Sequence, residues 1–254
     1  MDRDSDFKYE EETFSDSFVE RHKQQRKPHK GGKIIRENPT SVRELQACSL
    51  AVSFFRHQAC FEFCELVERI QFHHELARLF VAHLHNNEVT LARVTFTISP
   101  AVISEATRIP NVGEKWYKVQ DLDEDYCELY IKSHYRNQVK RFFPFKFLEN
   151  RYVPLMRIII KYFTCEGKFS RLYAYHIRLL MHFTRVKMMN LPYFLFRNID
   201  KIAYIVQKKP YPHQLNNIYH YSLIKIIVLH HLSLLNIPWE NFIAHEMFKG
   251  PQIP

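Results

Sequence analysis

The spacing of apolar residues restricts the fold of this chain more than any other feature of its sequence. Apolar side chains recur every three or four positions, which places them on one side of a helix. In the first half they are Val42, Leu45, Val52, Phe55, Phe61, Cys64, Leu66, Val67, Leu76, Leu79, Phe80 and Leu84. In the second half they are Leu172, Leu179, Phe183, Leu195, Ile199, Ile202, Ile205, Leu223, Ile224, Ile227, Val228, Leu232 and Leu235. The pattern predicts a mainly α fold.

The apolar period changes from 3.6 to 2 after position 87. Val89 and Leu91 occupy odd positions, whereas Val94 and Phe96 occupy even ones. A period of two is typical of a β-strand, and the shift from odd to even positions indicates a bulge or a tight turn near Ala92-Arg93. We therefore expect one small β-hairpin element within the helical domain.

The segment from Val94 to Lys118 is interpreted as a structural corner. Ser99 precedes Pro100, a pair that suits a helix start because the hydroxyl accepts from exposed amides and proline lacks the amide that would be orphaned there. The helix should end before Ile109-Pro110, since the residue preceding a proline avoids the helical region. The segment contains no combination of nucleophile, base and orienting group, so no catalytic residue is predicted.

Two sets of short motifs resemble those of one protein family. The first is "FTIS" followed by "ISEATRIP", at positions 96–99 and 103–110. The second set comprises Arg157 to Ile160, Gly167, Leu179-Leu180, and Asn190 to Pro192. Across roughly positions 79–205 the chain is similar to a plant retrotransposon-associated family, plant transposon proteins akin to the gag-side proteins of Athila-type elements. The resemblance implies a mobile-element origin and transfers no catalytic residue.

Charge is divided into blocks at the start of the chain. Positions 1–20 contain eight acids against two basic residues, and positions 21–36 contain seven Lys/Arg and no acid. Because these blocks lack periodic apolar residues, we predict a disordered tail over residues 1–39 and a mainly helical globular domain over 40–254. Ser41 and Glu44 match a capping box at the start of that domain. The basic run with Arg26, Lys27 and Lys30 is typical of a nuclear-import signal, a phosphate-binding arm or a solvated linker.

Composition argues against several functions. The five glycines include one adjacent pair, Gly31-Gly32, in a polar stretch, so no phosphate-cradling loop and no cofactor are expected. Five cysteines without secreted-type spacing, and no apolar N-terminal segment, favour an intracellular location in the nucleus or cytoplasm. The longest apolar run, Leu223 to Leu235, is interrupted by charge and shorter than the ~20 residues of a membrane span. We expect no membrane association, and no small-molecule substrate is identified.

No complete set of metal ligands is found. The acidic run from Asp121 to Asp125 alternates like a calcium loop, but Tyr126 and Lys132 occupy the positions of its glycine and glutamate. His74-Glu75 begins a zinc-protease motif, but Arg78 stands where the second histidine belongs. We therefore predict no metal.

The cysteines leave one question open. Cys60 and Cys64 lie one helical turn apart, near four histidines in sequence, but their spacing is not that of a structural zinc site, and we interpret them as core residues. A nucleophilic Cys–His pair stays possible because its partners need only meet in space, and nothing singles out one of the 15 histidines.

A basic and aromatic stripe is the candidate binding site. Its members recur at i, i+4, i+7, i+11 and i+14 on a predicted helix: Arg171, Tyr175, Arg178, His182 and Arg185. Arginine neutralises phosphate and tyrosine stacks on bases, so the stripe suits nucleic acid, although the solvated side of any basic helix looks the same. The net charge of +9 favours loose binding to polyanions without specificity.

Two functions therefore remain. The first is a non-enzymatic binding or assembly protein of mobile-element origin, with nucleic acid or a second copy of the chain as its partner. The alternative is an intracellular enzyme whose site is assembled from residues distant in sequence. A cluster of titratable groups would favour the enzyme, whereas an exposed basic face would favour the binding protein.

Overall fold

The computed structural model describes residues 49–71, 73–117, 128–139, 142–165, 171–185, 188–208 and 220–247. The predicted disordered tail over residues 1–39 and the predicted capping box at Ser41 and Glu44 lie outside these ranges. So does the acidic run from Asp121 to Asp125. These predictions stay as predictions.

Helices dominate, which confirms the predicted mainly α fold. The α-helices are α1 (Ser49–His57), α2 (Phe61–Arg69), α3 (His74–Ala82), α4 (Pro100–Thr107), α5 (Val153–Ile159), α6 (Ala174–Thr184), α7 (Leu191–Lys208), α8 (Tyr221–Leu234) and α9 (Trp239–Met247). A π-helical turn, Ile160–Thr164, continues α5. Shorter 3₁₀ turns span Ser133–Gln138, Phe145–Phe147 and Asn150–Tyr152. The strands are β1 (Glu88–Leu91), β2 (Val94–Thr97), β3 (Phe142–Pro144) and β4 (Arg171–Tyr173).

The helices pack in two groups around one hydrophobic core. Helices α7 and α8 both contact α3 and α4, while α1 contacts α5 and α6, which also contact each other. Phe55, Phe163 and Phe183 join the second group, with ring centroids 5.1 to 5.8 Å apart. Cys60 and Cys64 are fully buried in this core, as predicted.

The most apolar helix, α8, is not a candidate for a membrane span. Helix α8 covers most of the apolar run that the sequence showed between Leu223 and Leu235. Of the helices in the described ranges, none combines the length and the apolar character needed to cross a bilayer.

Strands β1 and β2 form the predicted hairpin. They are antiparallel, and Leu91 pairs with Val94 across a two-residue turn. Both turn residues, Ala92 and Arg93, have positive φ, at 48° and 64°. Two-residue hairpin turns of this kind match the twist of the strands, but only glycine and asparagine adopt positive φ readily. The turn that the sequence pattern located therefore carries local backbone strain.

Relieving that strain is expected to stabilise the protein. Ala92→Asn combined with Arg93→Gly supplies the residues that this turn prefers, and should raise the free energy of unfolding by about 1 kcal/mol. Urea unfolding followed by circular dichroism measures the change. Ala101→Asn, at an exposed position in α4, is the matched control and should give no gain, because that position already has helical backbone. A hairpin variant no more stable than the parent would contradict the strain.

A second small sheet was not foreseen. Strands β3 and β4 are antiparallel, with Phe142 opposite Tyr173 and Phe143 opposite Leu172. The prediction that Leu172 lies on a helix with Leu179 is wrong, because α6 begins at Ala174. The short β3–β4 pair, called the ribbon below, joins two segments that the sequence pattern treated separately.

The segment read as a corner has the backbone that was predicted. The Ser99 hydroxyl accepts from the amide of Val102 at 3.2 Å, and Pro100 is the first residue of α4. The helix ends at Thr107, followed by Arg108 in the left-handed region at φ 61°. Further on, the amide of Glu114 donates to the carbonyl of Met188 at 3.0 Å. The corner is thereby fixed to the start of α7.

Candidate nucleic-acid interface

The five residues of the predicted stripe do not share one exposed side of a helix, so the predicted geometry is wrong. Arg171 belongs to β4, where its backbone pairs with Pro144. Tyr175 and His182 are only 4% and 1% exposed. Trp116 covers part of the side that was expected to be solvated, with its ring centroid 5.8 Å from that of His182 and 5.5 Å from the Arg178 guanidinium carbon. A helical period shows which residues share a side, but not how many sides of the helix are covered.

The two arginines on and beside α6 lie in different surroundings. The Arg178 guanidinium carbon is 5.5 Å from the centre of the Trp116 ring, which in turn stacks on Phe194 with ring centroids 5.8 Å apart. This half-buried cation–π contact holds the corner against α6 and α7. Arg185 is exposed and caps the end of α6, where its amide donates to the carbonyl of Met181 at 2.8 Å. Of the two, Arg185 is the one on the surface.

Other predicted site residues fall outside the described ranges. Arg26, Lys27 and Lys30, the basic part of the tail, are among them. Within the described ranges there is no group of three or more His, Cys, Asp or Glu side chains placed to hold a metal ion.

Positive charge is concentrated in one part of the chain. Between Ile131 and Ile199 there are fourteen lysines and arginines but only two acids, Glu149 and Glu166. The net charge of that stretch is +12, more than the +9 of the whole chain. A running charge count along the sequence locates this segment, which the total charge, the charge blocks of the tail and the helix pattern do not. Both strands of the ribbon come from it.

The ribbon carries two exposed aromatic side chains. Phe142 is 51% exposed and Tyr173 is 36% exposed, and the two are directly paired across the strands. The next pair along the ribbon, Phe143 and Leu172, is buried. Successive side chains of a strand point to opposite sides. One side of the ribbon is therefore anchored in the core, while the other carries Phe142 and Tyr173, which are partly exposed. The Tyr173 ring also stacks on Tyr175, with ring centroids 5.7 Å apart.

Cations lie on aromatic rings close to the ribbon in sequence. The Lys146 ammonium is 5.7 Å from the centre of the Tyr135 ring, and that ring stacks on Phe147 at 4.1 Å. The Arg151 guanidinium carbon is 4.7 Å from the Tyr152 ring. Lys146 and Arg151 are exposed and form no ion pair with an acid in the described part of the chain. Their charges are available to a polyanion.

A separate cluster brings together two residues that are far apart in sequence. The Cys165 sulfur lies 3.5 Å from Nδ1 of His220, 55 positions away. Cys60 and Cys64 differ from Cys165 in being fully buried, and burial raises the pKa of both of their thiols well above the ordinary value. No sequence signal could have paired these two residues, since only the fold brings them together.

The exposed arrangement suits one chemistry. Aromatic faces stack on unpaired bases, and exposed Lys and Arg neutralise phosphates, so the ribbon and its cations have the properties of a surface for single-stranded nucleic acid. The sequence matches no known family model, and neither a curated protein nor a solved structure is similar to it. The function is therefore inferred from these residues.

Proposed function

We propose that the chain is a non-enzymatic binding protein of mobile-element origin, acting in the nucleus or cytoplasm, which holds single-stranded nucleic acid on its ribbon. The observation that carries this proposal is the exposed pair Phe142 and Tyr173, set in a segment of net charge +12. Full burial of a large aromatic side chain contributes about 1.5–3 kcal/mol, and Phe142, which is 51% exposed, forgoes roughly half of that. A base stacked on the ring recovers part of that free energy.

The chemistry of the surface favours binding without sequence preference. Every base has a face that stacks on an aromatic ring, and every nucleotide has a phosphate that Lys146 or Arg151 can neutralise. The basic tail with Arg26, Lys27 and Lys30 would add further phosphate contacts. The proposed mobile-element origin rests on the motif resemblance over positions 79–205.

The proposal is tested with a fluorescent single-stranded oligonucleotide of about 20 nucleotides, whose anisotropy reports binding. For single strands the slope of log K against log salt is about −0.7 for each phosphate contact. We expect binding that weakens steeply with salt, and weaker binding to a duplex of the same sequence, because paired bases are not free to stack.

Two substitutions separate stacking from charge. Phe142→Ala should weaken binding by about five- to a hundredfold, as expected for one lost base–aromatic stack, without changing the salt slope. Lys146→Gln should instead make the slope shallower by about 0.7. Leu234→Ala and Lys201→Gln are the matched controls, since these residues are also exposed but lie in α8 and α7.

Two results would contradict the proposal. The first is a parent protein that shows no salt-dependent binding at low ionic strength. The second is a Phe142→Ala variant that binds as the Leu234→Ala control does. Sedimentation of both proteins then identifies the alternative partner, because a dimer that Phe142→Ala dissociates would mean that the exposed rings serve self-association.

A further inference from the structure

We propose that Cys165 is a reactive thiol that forms mixed disulfides with small disulfides, with His220 as its base. The Cys165 sulfur and Nδ1 of His220 are 3.5 Å apart, within reach of a hydrogen bond to sulfur. A thiol next to an imidazole is the arrangement that generates a nucleophilic thiolate near neutral pH. This site is independent of the nucleic-acid surface.

Helix ends hold both side chains in place. Cys165 directly follows the π-helical turn, with φ 45° and its amide donating to the carbonyl of Ile160 at 2.7 Å. His220 directly precedes α8, with φ 65° and its carbonyl accepting from the amide of Ile224 at 3.0 Å. The imidazole is buried, whereas the thiol is partly exposed. A reagent can therefore reach the sulfur while the base stays in a fixed position.

The thiol proton has two acceptors. One is the carbonyl oxygen of Lys161, 2.9 Å from the sulfur, and the other is Nδ1 of His220. The carboxyl end of a helix carries partial negative charge and disfavours a nearby anion. The carbonyl of Lys161 therefore favours the neutral thiol of Cys165. Moving the proton to the imidazole creates a thiolate–imidazolium pair whose attraction opposes that effect. The Lys161 ammonium lies 3.7 Å from the Glu68 carboxylate, whereas Nδ1 of His220 lies 3.5 Å from the Cys165 sulfur.

Cys165 differs from the other described cysteines in exposure. Cys60 and Cys64 are fully buried, and burial raises the pKa of both thiols. Buried thiols with a raised pKa are inert. Cys48 and Cys127 lie outside the described ranges, and peptide mapping distinguishes them from Cys165.

The reaction is a thiol–disulfide exchange with a small disulfide such as glutathione disulfide. His220 takes the thiol proton, and the Cys165 thiolate attacks one sulfur of the disulfide. A new sulfur–sulfur bond forms as the old one breaks, and the departing thiolate takes the proton back from the imidazolium. Cys165 is oxidised to a mixed disulfide, and half of the small disulfide is reduced to a thiol.

Iodoacetamide labelling of the full chain, followed by peptide mass spectrometry, gives an alkylation rate for each cysteine. Rates are measured at about pH 6.5 and about pH 9, in the native protein and in urea, because an ordinary thiol with a pKa of about 8.5 ionises between them. The rate at about pH 6.5 divided by the rate at about pH 9 is compared, because this ratio cancels differences in access. We expect this ratio to be about fivefold higher for native Cys165 than for unfolded Cys165. An equal or lower native ratio overturns the proposal.

A variant tests the base directly. His220→Asn removes the imidazole, and asparagine tolerates positive φ. Circular dichroism checks that the variant is folded. If it is not, the comparison of native and unfolded parent protein still tests the proposal. The Cys165 rate ratio should fall to its unfolded value, and glutathione disulfide should modify Cys165 about fivefold more slowly at about pH 6.5. Cys165→Ser should lose the adduct altogether. A folded His220→Asn protein that keeps the parent ratio would show that His220 is not the base.

Discussion

Gly113→Ala is expected to lower the free energy of unfolding by about 3 kcal/mol or more, through two effects that act together. Gly113 has φ 99°, a conformation that residues with a side chain rarely adopt. A Cβ at this position would stand 2.6 Å from the carbonyl oxygen of Met188. The neighbour is backbone and cannot rotate away, so the corner would have to move off the start of α7.

Thermal and urea unfolding measure this loss. For a domain of this size, 3 kcal/mol corresponds to a fall in Tm of about 6–12 °C. Val112→Ala is the matched control, because Val112 is the adjacent residue and its side chain is largely exposed; it should change stability by less than about 0.5 kcal/mol. If Gly113→Ala is as stable as that control, the close approach to Met188 does not exist in solution.

Local patterns predicted the parts of the fold that depend on neighbouring residues. The odd-to-even shift located the turn at Ala92-Arg93, and the pair Ser99-Pro100 located the start of α4. Asn190 directly precedes α7 and gives a local signal of the same kind, since its side-chain oxygen accepts from the amide of Tyr193 at 2.9 Å. Each signal comes from backbone groups within a few residues, so the sequence contains all the information needed.

The candidate site was less predictable because it depends on long-range packing. Tyr175 and His182 share a side of α6 with Arg178, as the period implied, but both are buried, and Trp116 from a distant part of the chain packs against His182 and Arg178. The position of Phe142 is set by the pairing of β3 with β4. Strands of three residues are too short to show an alternation of apolar and polar residues in the sequence. Charge alone was accessible, since the acid-poor stretch from 131 to 199 can be counted in the sequence.

Gln58→Met is expected to lower the free energy of unfolding by about 2–4 kcal/mol, because it removes two side-chain hydrogen bonds to buried backbone groups. Gln58 is 1% exposed and directly follows α1, and its side chain bonds the last turn of α6 and the segment that precedes α7. Its amide nitrogen donates to the carbonyl of His182 at 3.4 Å, and its oxygen accepts from the amide of Met189 at 3.2 Å. Methionine keeps the length of the side chain but makes neither bond.

The matched control is Gln138→Met, at an exposed glutamine whose side chain also bonds a backbone carbonyl, that of His134 at 3.4 Å. Water replaces that partner, so the control should lose less than about 0.5 kcal/mol. Hydrogen exchange adds a local measurement, since the Met189 amide should exchange faster in Gln58→Met than in the parent. Equal stability of the two variants would show that the bonds of Gln58 are not formed. Because Met189 follows the carbonyl that Gly113 approaches, loss of these bonds should also loosen the corner, and Gly113→Ala should then cost less in the Gln58→Met background than in the parent.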